Sequence, residues 1–139
     1  MRANTQTISI ESPPSKVFDF LKEPENLPRW AVGFAKSVRK ERNAWYVTTG
    51  QGEVAIKIDA DPRTGVVDFR MQPAPNVEAV AASRVIPRGG ASEYAFTQFQ
   101  APGMTDEFFA RNVKALEHEL SVLKAILEVE CPYDSRPAR

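Results

Sequence analysis

The chain has 139 residues, with 18 basic and 18 acidic side chains, 42% hydrophobic residues and one cysteine. This length and composition predict a single globular domain, residues 1–139, that can bury a core of its own. Zero net charge argues against a general nucleic-acid binder, which needs clustered positive charge, and one cysteine excludes an internal disulfide.

Hydropathy along the chain bears on its location. The first residues lack the apolar run of a signal peptide, and no stretch approaches about 18 consecutive apolar residues, the length that a membrane-spanning helix needs. We therefore expect a cytoplasmic protein that does not insert into membranes.

The first predicted elements are a strand and a short helix. Residues 5–10 alternate polar and apolar side chains and are rich in Thr and Ile, which is typical of a half-buried strand. Ser12 is a candidate N-cap for the helix, because Pro13 and Pro14 fit the first helical turn. The apolar spacing carries this helix to about Lys22.

The middle of the chain predicts most of a sheet. Residues 24–30 form a second short helix or turn, because Pro28 cannot stand deep inside a regular helix. The β-rich runs that follow are joined by short segments rich in Gly, Pro, Asn or Asp, which predict antiparallel neighbours. We therefore expect a seven-stranded antiparallel meander with two short helices after its first strand. The later strands are predicted at residues 35–41, 45–49, 53–60, 66–72, 77–86 and 92–100.

A long C-terminal helix completes the predicted fold. It runs from about residue 106 to residue 128, with Thr105 as its cap and no Gly or Pro inside it. Residues 130–139 are expected to form a flexible tail. One face of this helix carries an apolar stripe, formed by Phe109, Leu116, Leu120, Leu123 and Leu127.

The dimensions of these elements predict a hollow. A seven-stranded sheet is about 29 Å wide, whereas one helix is about 10 Å thick, so the sheet must curve around the helix. The longest strand offers mostly small side chains, which do not reach far across the interior. They are Ala79, Val80, Ala81, Ala82 and Ser83.

The order of strand, two short helices, six strands and long helix resembles the α+β helix-grip fold of the SRPBCC superfamily, which includes START and birch-pollen-allergen-like proteins. Residues 8–21, with Pro28 and Trp30 beyond them, are similar to the opening of this superfamily. Residues 65–70, with Glu119-Leu120 and Leu123-Lys124, resemble its small bacterial polyketide cyclase/dehydrase-like branch. The resemblance covers residues 5–128 and implies a cavity between the long helix and the sheet.

The resemblance implies several functions for that cavity. Members bind lipids, sterols, polyketides or plant hormones, some catalyse cyclisation or dehydration, and related proteins are co-chaperones. We expect this chain to bind, transport or sense a small hydrophobic molecule, lipid-like or polyketide-like, without a cofactor. A cyclase/dehydratase-type enzyme and a co-chaperone-like interaction module are the alternatives. A homodimer also stays open, because two exposed sheets could pair.

Ten residues are predicted to contact the ligand. Asn112 is the polar member on the helix face, although a core-edge Asn bonded to the backbone would look the same in sequence. Trp30 is interpreted either as a lid or as a core anchor. The direction of Tyr94 and Phe96 has a rival assignment, in which the alternate residues of that strand face inward. The predicted set is Trp30, Val54, Ile56, Phe69, Met71, Tyr94, Phe96, Phe109, Asn112 and Leu116.

No catalytic residue or metal site is predicted. His118 lies opposite the apolar stripe of the helix, and Cys131 lacks an activating neighbour in sequence. Arg84 could pair with Asp68 or Glu78 at the cavity wall, but a solvated cross-strand pair is the preferred interpretation. The chain lacks the motifs of nucleotide cofactors, metal clusters and hydrolases.

Overall fold

A seven-stranded antiparallel sheet curves around a long C-terminal helix in the computed structural model, which describes residues 2–134. The strands are β1 (Ala3–Ile10), β2 (Ser37–Glu41), β3 (Ala44–Thr49), β4 (Gly52–Asp61), β5 (Val66–Ala74), β6 (Val77–Arg88) and β7 (Ala91–Phe99). The helices are α1 (Pro14–Leu21), α2 (Leu27–Trp30), which follows a 3₁₀ turn at Pro24–Asn26, and α3 (Asp106–Glu130).

The strand order corrects one part of the prediction. Strands β2 to β7 form the expected meander, but β1 pairs with β7 and not with β2, so the order is β1-β7-β6-β5-β4-β3-β2. The segment from residue 11 to residue 36 contains both short helices and carries the chain from one edge of the sheet to the other. The pairing of β1 with β7 therefore could not be predicted from which strands are close in sequence.

Alternation along the strands separates two faces of the sheet, and the face toward α3 is called the concave face below. Val67 and Phe69 are buried on the concave face, while the intervening Asp68 points the other way. On β7, Tyr94 is buried and Phe99 is 40% exposed. The structure thus decides between the two assignments of β7 and confirms the one with Tyr94 inward.

The start of α1 differs from the prediction by one residue. Pro13 is the N-cap, since its carbonyl accepts the hydrogen bond from Val17 N, and Pro14 occupies the first helical position. Ser12 is fully buried and does not cap the helix with its side chain. Its carbonyl accepts a hydrogen bond from Ser92 Oγ at 2.8 Å.

The long helix α3 is capped as predicted. Thr105 Oγ1 accepts a hydrogen bond from Phe108 N at 3.1 Å, and acidic residues occupy the first turn. The predicted apolar stripe is buried, comprising Phe109, Leu116, Leu120, Leu123 and Leu127.

Contacts with the fold continue beyond α3. Tyr133 N donates a hydrogen bond to the carbonyl of Glu11 at 2.9 Å, next to the start of α1. Residues 135–139, the rest of the predicted tail, lie outside the described residues.

Between residues 2 and 134, no helix is long and apolar enough to cross a membrane. The cytoplasmic location stays a prediction.

Removal of the α3 cap should weaken the fold measurably. We expect Thr105→Ala to lower the free energy of unfolding by about 1 kcal/mol, because Phe108 N loses its acceptor, whereas Thr105→Ser should retain most of the stability. Urea denaturation of both variants and the wild type would measure this. Equal destabilisation by Ala and Ser would contradict a capping role.

Candidate functional site

Four aromatic side chains meet at the centre of the concave face, and they are called the aromatic cluster below. Trp30 comes from α2, Phe69 from β5, and Tyr94 and Phe96 from β7. The Trp30 ring centroid lies 6.3 Å from that of Phe69 and 6.4 Å from those of Tyr94 and Phe96. Trp30 is only 2% exposed and packs as an anchor of α2 on the sheet, while its role as a lid stays a prediction.

The aromatic cluster fills the centre of the predicted hollow. Phe69 lies opposite Ala81 in the register, and Phe96 lies opposite Ser83. The large rings therefore take the space that these small side chains leave. The expectation of a hollow rested on the small side chains of β6 alone. It did not take into account the large rings that β5 and β7 place next to them.

A depression of about 440 Å³ lies at the end of the sheet where β5 turns into β6, and its lining includes the charged residues Lys57, Arg70 and Glu78. Trp45, Ile56 and Met71 contribute apolar side chains from three adjacent strands to its lining. Ile56 and Met71 belong to the predicted ligand contacts, whereas Trp45 does not. Further half-buried apolar side chains pack against the same core, namely Phe34, Val38, Ile58 and Phe96.

The remaining predicted contacts occupy α3 and β4. Phe109 and Leu116 are buried on α3, and Val54 lies half-buried on β4 opposite Val47. Asn112 is half-buried, and its backbone carbonyl accepts a hydrogen bond from Gln98 Nε2 at 3.3 Å. The structure therefore distributes the predicted set over the concave face and α3, with the most buried members in the core.

Amide side chains join the sheet to the first half of α3. Gln6 Nε2 donates to the carbonyl of Val113 at 2.9 Å and to Asn4 Oδ1 at 2.9 Å. Gln98 Nε2 makes the corresponding bond to Asn112 from the neighbouring strand. These contacts between β1, β7 and α3 use uncharged groups, so the polar part of this interface is neutral.

Tyr94 carries a buried hydroxyl without a hydrogen-bond partner among the described residues. Burial raises the pKa of this phenol, and Ser83 lies close enough to oppose the shift but not in hydrogen-bonding geometry. Ser83 Oγ donates instead to the carbonyl of Val67 at 2.6 Å. A buried polar group left unpaired costs about 1–3 kcal/mol, so the hydroxyl weakens the fold in this state.

Glu119 is a buried carboxylate that sequence reasoning did not select. It is 7% exposed, and its Oε2 accepts hydrogen bonds from Gly33 N at 3.1 Å and Phe34 N at 3.2 Å. Burial raises its pKa to about 7, and the two backbone hydrogen bonds only partly oppose this. The available signal was its position, since it stands between Leu116 and Leu123 in the apolar stripe.

The other titratable candidates lie away from the aromatic cluster. Asp68 alternates with the concave-face residues of β5, and Arg84 donates from Nε to the carbonyl of Thr64 at 3.1 Å. Arg84 also lines a second depression, of about 310 Å³, between α1 and the β4–β5 turn. His118 is exposed, and Cys131 is half-buried after the end of α3.

Residues 1–128 match the family described as polyketide cyclase/dehydrase and lipid transport. No curated protein matches the sequence.

Several solved structures share the fold at low sequence identity, and they confirm the predicted helix-grip architecture. XoxI from Bacillus cereus is 15% identical, with a TM-score of 0.73, 94% of this chain and 99% of that chain covered. The Aha1 dimer from Colwellia psychrerythraea is 18% identical, with a TM-score of 0.71 and coverage of 93% and 98%. The di-domain ARO/CYC BexL from the BE-7585A biosynthetic pathway is 20% identical, with a TM-score of 0.67 and coverage of 94% and 48%.

The raised pKa of Glu119 predicts a specific dependence of stability on pH. Its pKa of about 7 in the folded state lies above the ordinary value of 4.5, so the folded state favours the protonated acid, and this stability is lost as the pH rises from about 4.5 to about 7. The difference corresponds to roughly 3 kcal/mol at full ionisation. Glu119→Gln keeps an acceptor for both backbone N–H groups without a charge, so its stability should lack this decline.

Urea unfolding of the wild type and Glu119→Gln between pH 5 and pH 8 would measure the effect. We expect the variant to gain on the wild type as the pH rises. Two parallel stability curves would contradict the burial of an ionisable Glu119.

Proposed function

The chain belongs to the polyketide cyclase/dehydrase and lipid transport family, and on that premise we propose that it binds a small hydrophobic molecule against the concave face. The site extends from the depression beside Trp45, Ile56 and Met71 to the half-buried ring of Phe96. Binding would support carriage or sensing of the molecule.

The observation that carries this proposal is an apolar surface that is continuous and only partly covered. Phe69 and Met71 lie two residues apart on the same face of β5. The Phe69 ring centroid lies 5.9 Å from that of Phe96. Met71 and Phe96 are both half-buried at the two ends of this path. Partly exposed apolar side chains in a concave surface are typical of a ligand site.

A cyclase/dehydratase-type enzyme is a weaker alternative for this chain. Such an enzyme needs acid–base groups beside its ligand. Asp68 faces away from the aromatic cluster, and one oxygen of Glu119, Oε2, already accepts hydrogen bonds from Gly33 N and Phe34 N. The ARO/CYC and Aha1 neighbours share the fold, and their low identities leave the enzyme and the interaction module as alternatives without a residue to favour them.

We also infer that the convex face, which is the side of the sheet away from α3, can pair two copies of the chain. Arg39 and Arg70 form ion pairs with acidic residues on the β2–β5 half of this face. The β1, β7 and β6 half carries a patch of uncharged side chains, called the uncharged patch below, which Glu78, Arg84 and Glu93 border on the same face, and a structural neighbour is a dimer. The uncharged patch consists of Thr5, Thr7, Val80, Ala82, Ala95, Thr97 and Phe99.

A charge placed beside the depression should weaken binding of an apolar probe. We expect Met71→Glu to bind N-phenyl-1-naphthylamine at least about tenfold more weakly, because a carboxylate that the ligand must desolvate would replace an apolar contact. Val129→Glu is the matched control, since Val129 is 81% exposed and lies at the end of α3.

Fluorescence titration of the probe into both variants and the wild type gives the dissociation constants. The proposal predicts that only Met71→Glu loses affinity. Equal affinities in all three proteins, or no binding by the wild type to this probe, would contradict it.

A charge in the uncharged patch should prevent pairing of two copies. We expect the wild type to elute as a dimer and Thr97→Lys as a monomer, because a two-fold interface would bring the added charges together. Gln51→Lys, in the exposed β3–β4 turn, is the control and should elute like the wild type. Size-exclusion chromatography with light scattering would measure the masses, and a monomeric wild type would refute the pairing.

A further inference from the structure

The Tyr94 ring belongs to the aromatic cluster, and its buried hydroxyl has no hydrogen-bond partner among the described residues. Tyr94 is 0% exposed, and its ring meets the rings of Trp30 and Phe96 edge-on. Among the described residues, only Ser12 Oγ shares this condition, and Ser12 lies before α1, outside the aromatic cluster. A phenylalanine would fill the same volume without leaving a polar atom unpaired, so the hydroxyl needs another explanation.

Ser83 is the polar side chain close to this hydroxyl, but the two are not in hydrogen-bonding geometry. Ser83 Oγ donates instead to the carbonyl of Val67. The Tyr94 hydroxyl is therefore available for a hydrogen bond to a molecule that enters the interior.

A path to this hydroxyl begins at the depression. Phe96 is half-buried, and its ring centroid lies 6.3 Å from that of Tyr94. Phe96 also contacts Phe69, so a ligand that comes from the apolar surface at Met71 and Phe69 would reach Tyr94 by displacing rings of the aromatic cluster. These rings are apolar.

The charged side chains of this path lie at the depression, where Lys57, Arg70 and Glu78 contribute to the lining. Lys40 Nζ lies over the Trp45 ring at 5.7 Å, and Lys40 is exposed. The rings of the aromatic cluster provide no counter-charge for an anion next to Tyr94. Burial of an unpaired carboxylate is far more costly than burial of a neutral oxygen that accepts a hydrogen bond.

We propose that Tyr94 determines specificity by donating a hydrogen bond from its hydroxyl to an uncharged oxygen of a largely apolar ligand. A ketone, ether or alcohol oxygen has this chemistry, whereas a carboxylate does not. The inference rests on the proposed function and adds the ligand class to it.

Three probes with one ring system test the proposal: 2-acetylnaphthalene, naphthalene and 2-naphthoate. Isothermal titration calorimetry would compare them on the wild type, on Tyr94→Phe and on Tyr46→Phe. Tyr46 is the matched control, because it lies on the opposite face of β3 under the Arg39 guanidinium. Thermal unfolding of the three unliganded proteins is measured in parallel.

The wild type should bind 2-acetylnaphthalene about fivefold to tenfold more tightly than naphthalene, and 2-naphthoate more weakly than the ketone. Tyr94→Phe should lose the preference for the ketone and keep the affinity for naphthalene, whereas Tyr46→Phe should bind all three like the wild type. The melting temperature of Tyr94→Phe should equal or exceed that of the wild type, because the variant no longer buries an unpaired hydroxyl.

Two results would overturn the inference and leave the proposed function intact. One is binding of naphthalene and the ketone with equal affinity by the wild type. The other is a lower melting temperature for Tyr94→Phe together with an unchanged ketone preference, which would give the hydroxyl a structural role. Failure of all three probes to bind the wild type would instead overturn the proposed function and this inference with it.

Discussion

The fold depends on the packing of Trp30 against rings from β5 and β7. A single helix is too narrow to cover seven strands, so the chain needs a second element over the concave face. The segment that contains α2 provides it, and Trp30 holds that segment to Phe69, Tyr94 and Phe96. Glu119 then ties the following residues, Gly33 and Phe34, to α3. The aromatic cluster thereby closes the centre of the interior and leaves apolar surface accessible at one end.

Local patterns predicted most of the architecture, because strands β4 and β5 alternate clearly and α3 has an uninterrupted apolar stripe and a cap. What the sequence did not predict depends on contacts between distant residues. The pairing of β1 with β7 follows from the path of residues 11–36, and the filled centre follows from the register of Phe69 with Ala81. A smaller difference lies at the start of α1, where Pro13 and not Ser12 is the N-cap.

The candidate site was predictable in outline for the same reason. Period-two alternation placed Ile56, Met71 and Phe69 on one face, and the structure brings them to the depression and the aromatic cluster. Trp45 and Glu119 were missed, since their role depends on which elements lie opposite them. Among residues 2–134 the result is an interior that is mostly apolar, whose buried polar side chains are three serines, Tyr94 and one carboxyl group, Glu119, which accepts hydrogen bonds from backbone N–H groups. Such an interior suits an uncharged hydrophobic molecule better than an anion.

The central claim is that a ligand contacts the concave face next to the aromatic cluster. Intermolecular nuclear Overhauser effects between bound 2-acetylnaphthalene and isotope-labelled protein would test it most directly. We predict contacts from the probe to the side chains of Met71, Phe69 and Phe96, and none to Tyr46 or Thr97 on the convex face. Contacts confined to the convex face, with none to these three side chains, would contradict the account.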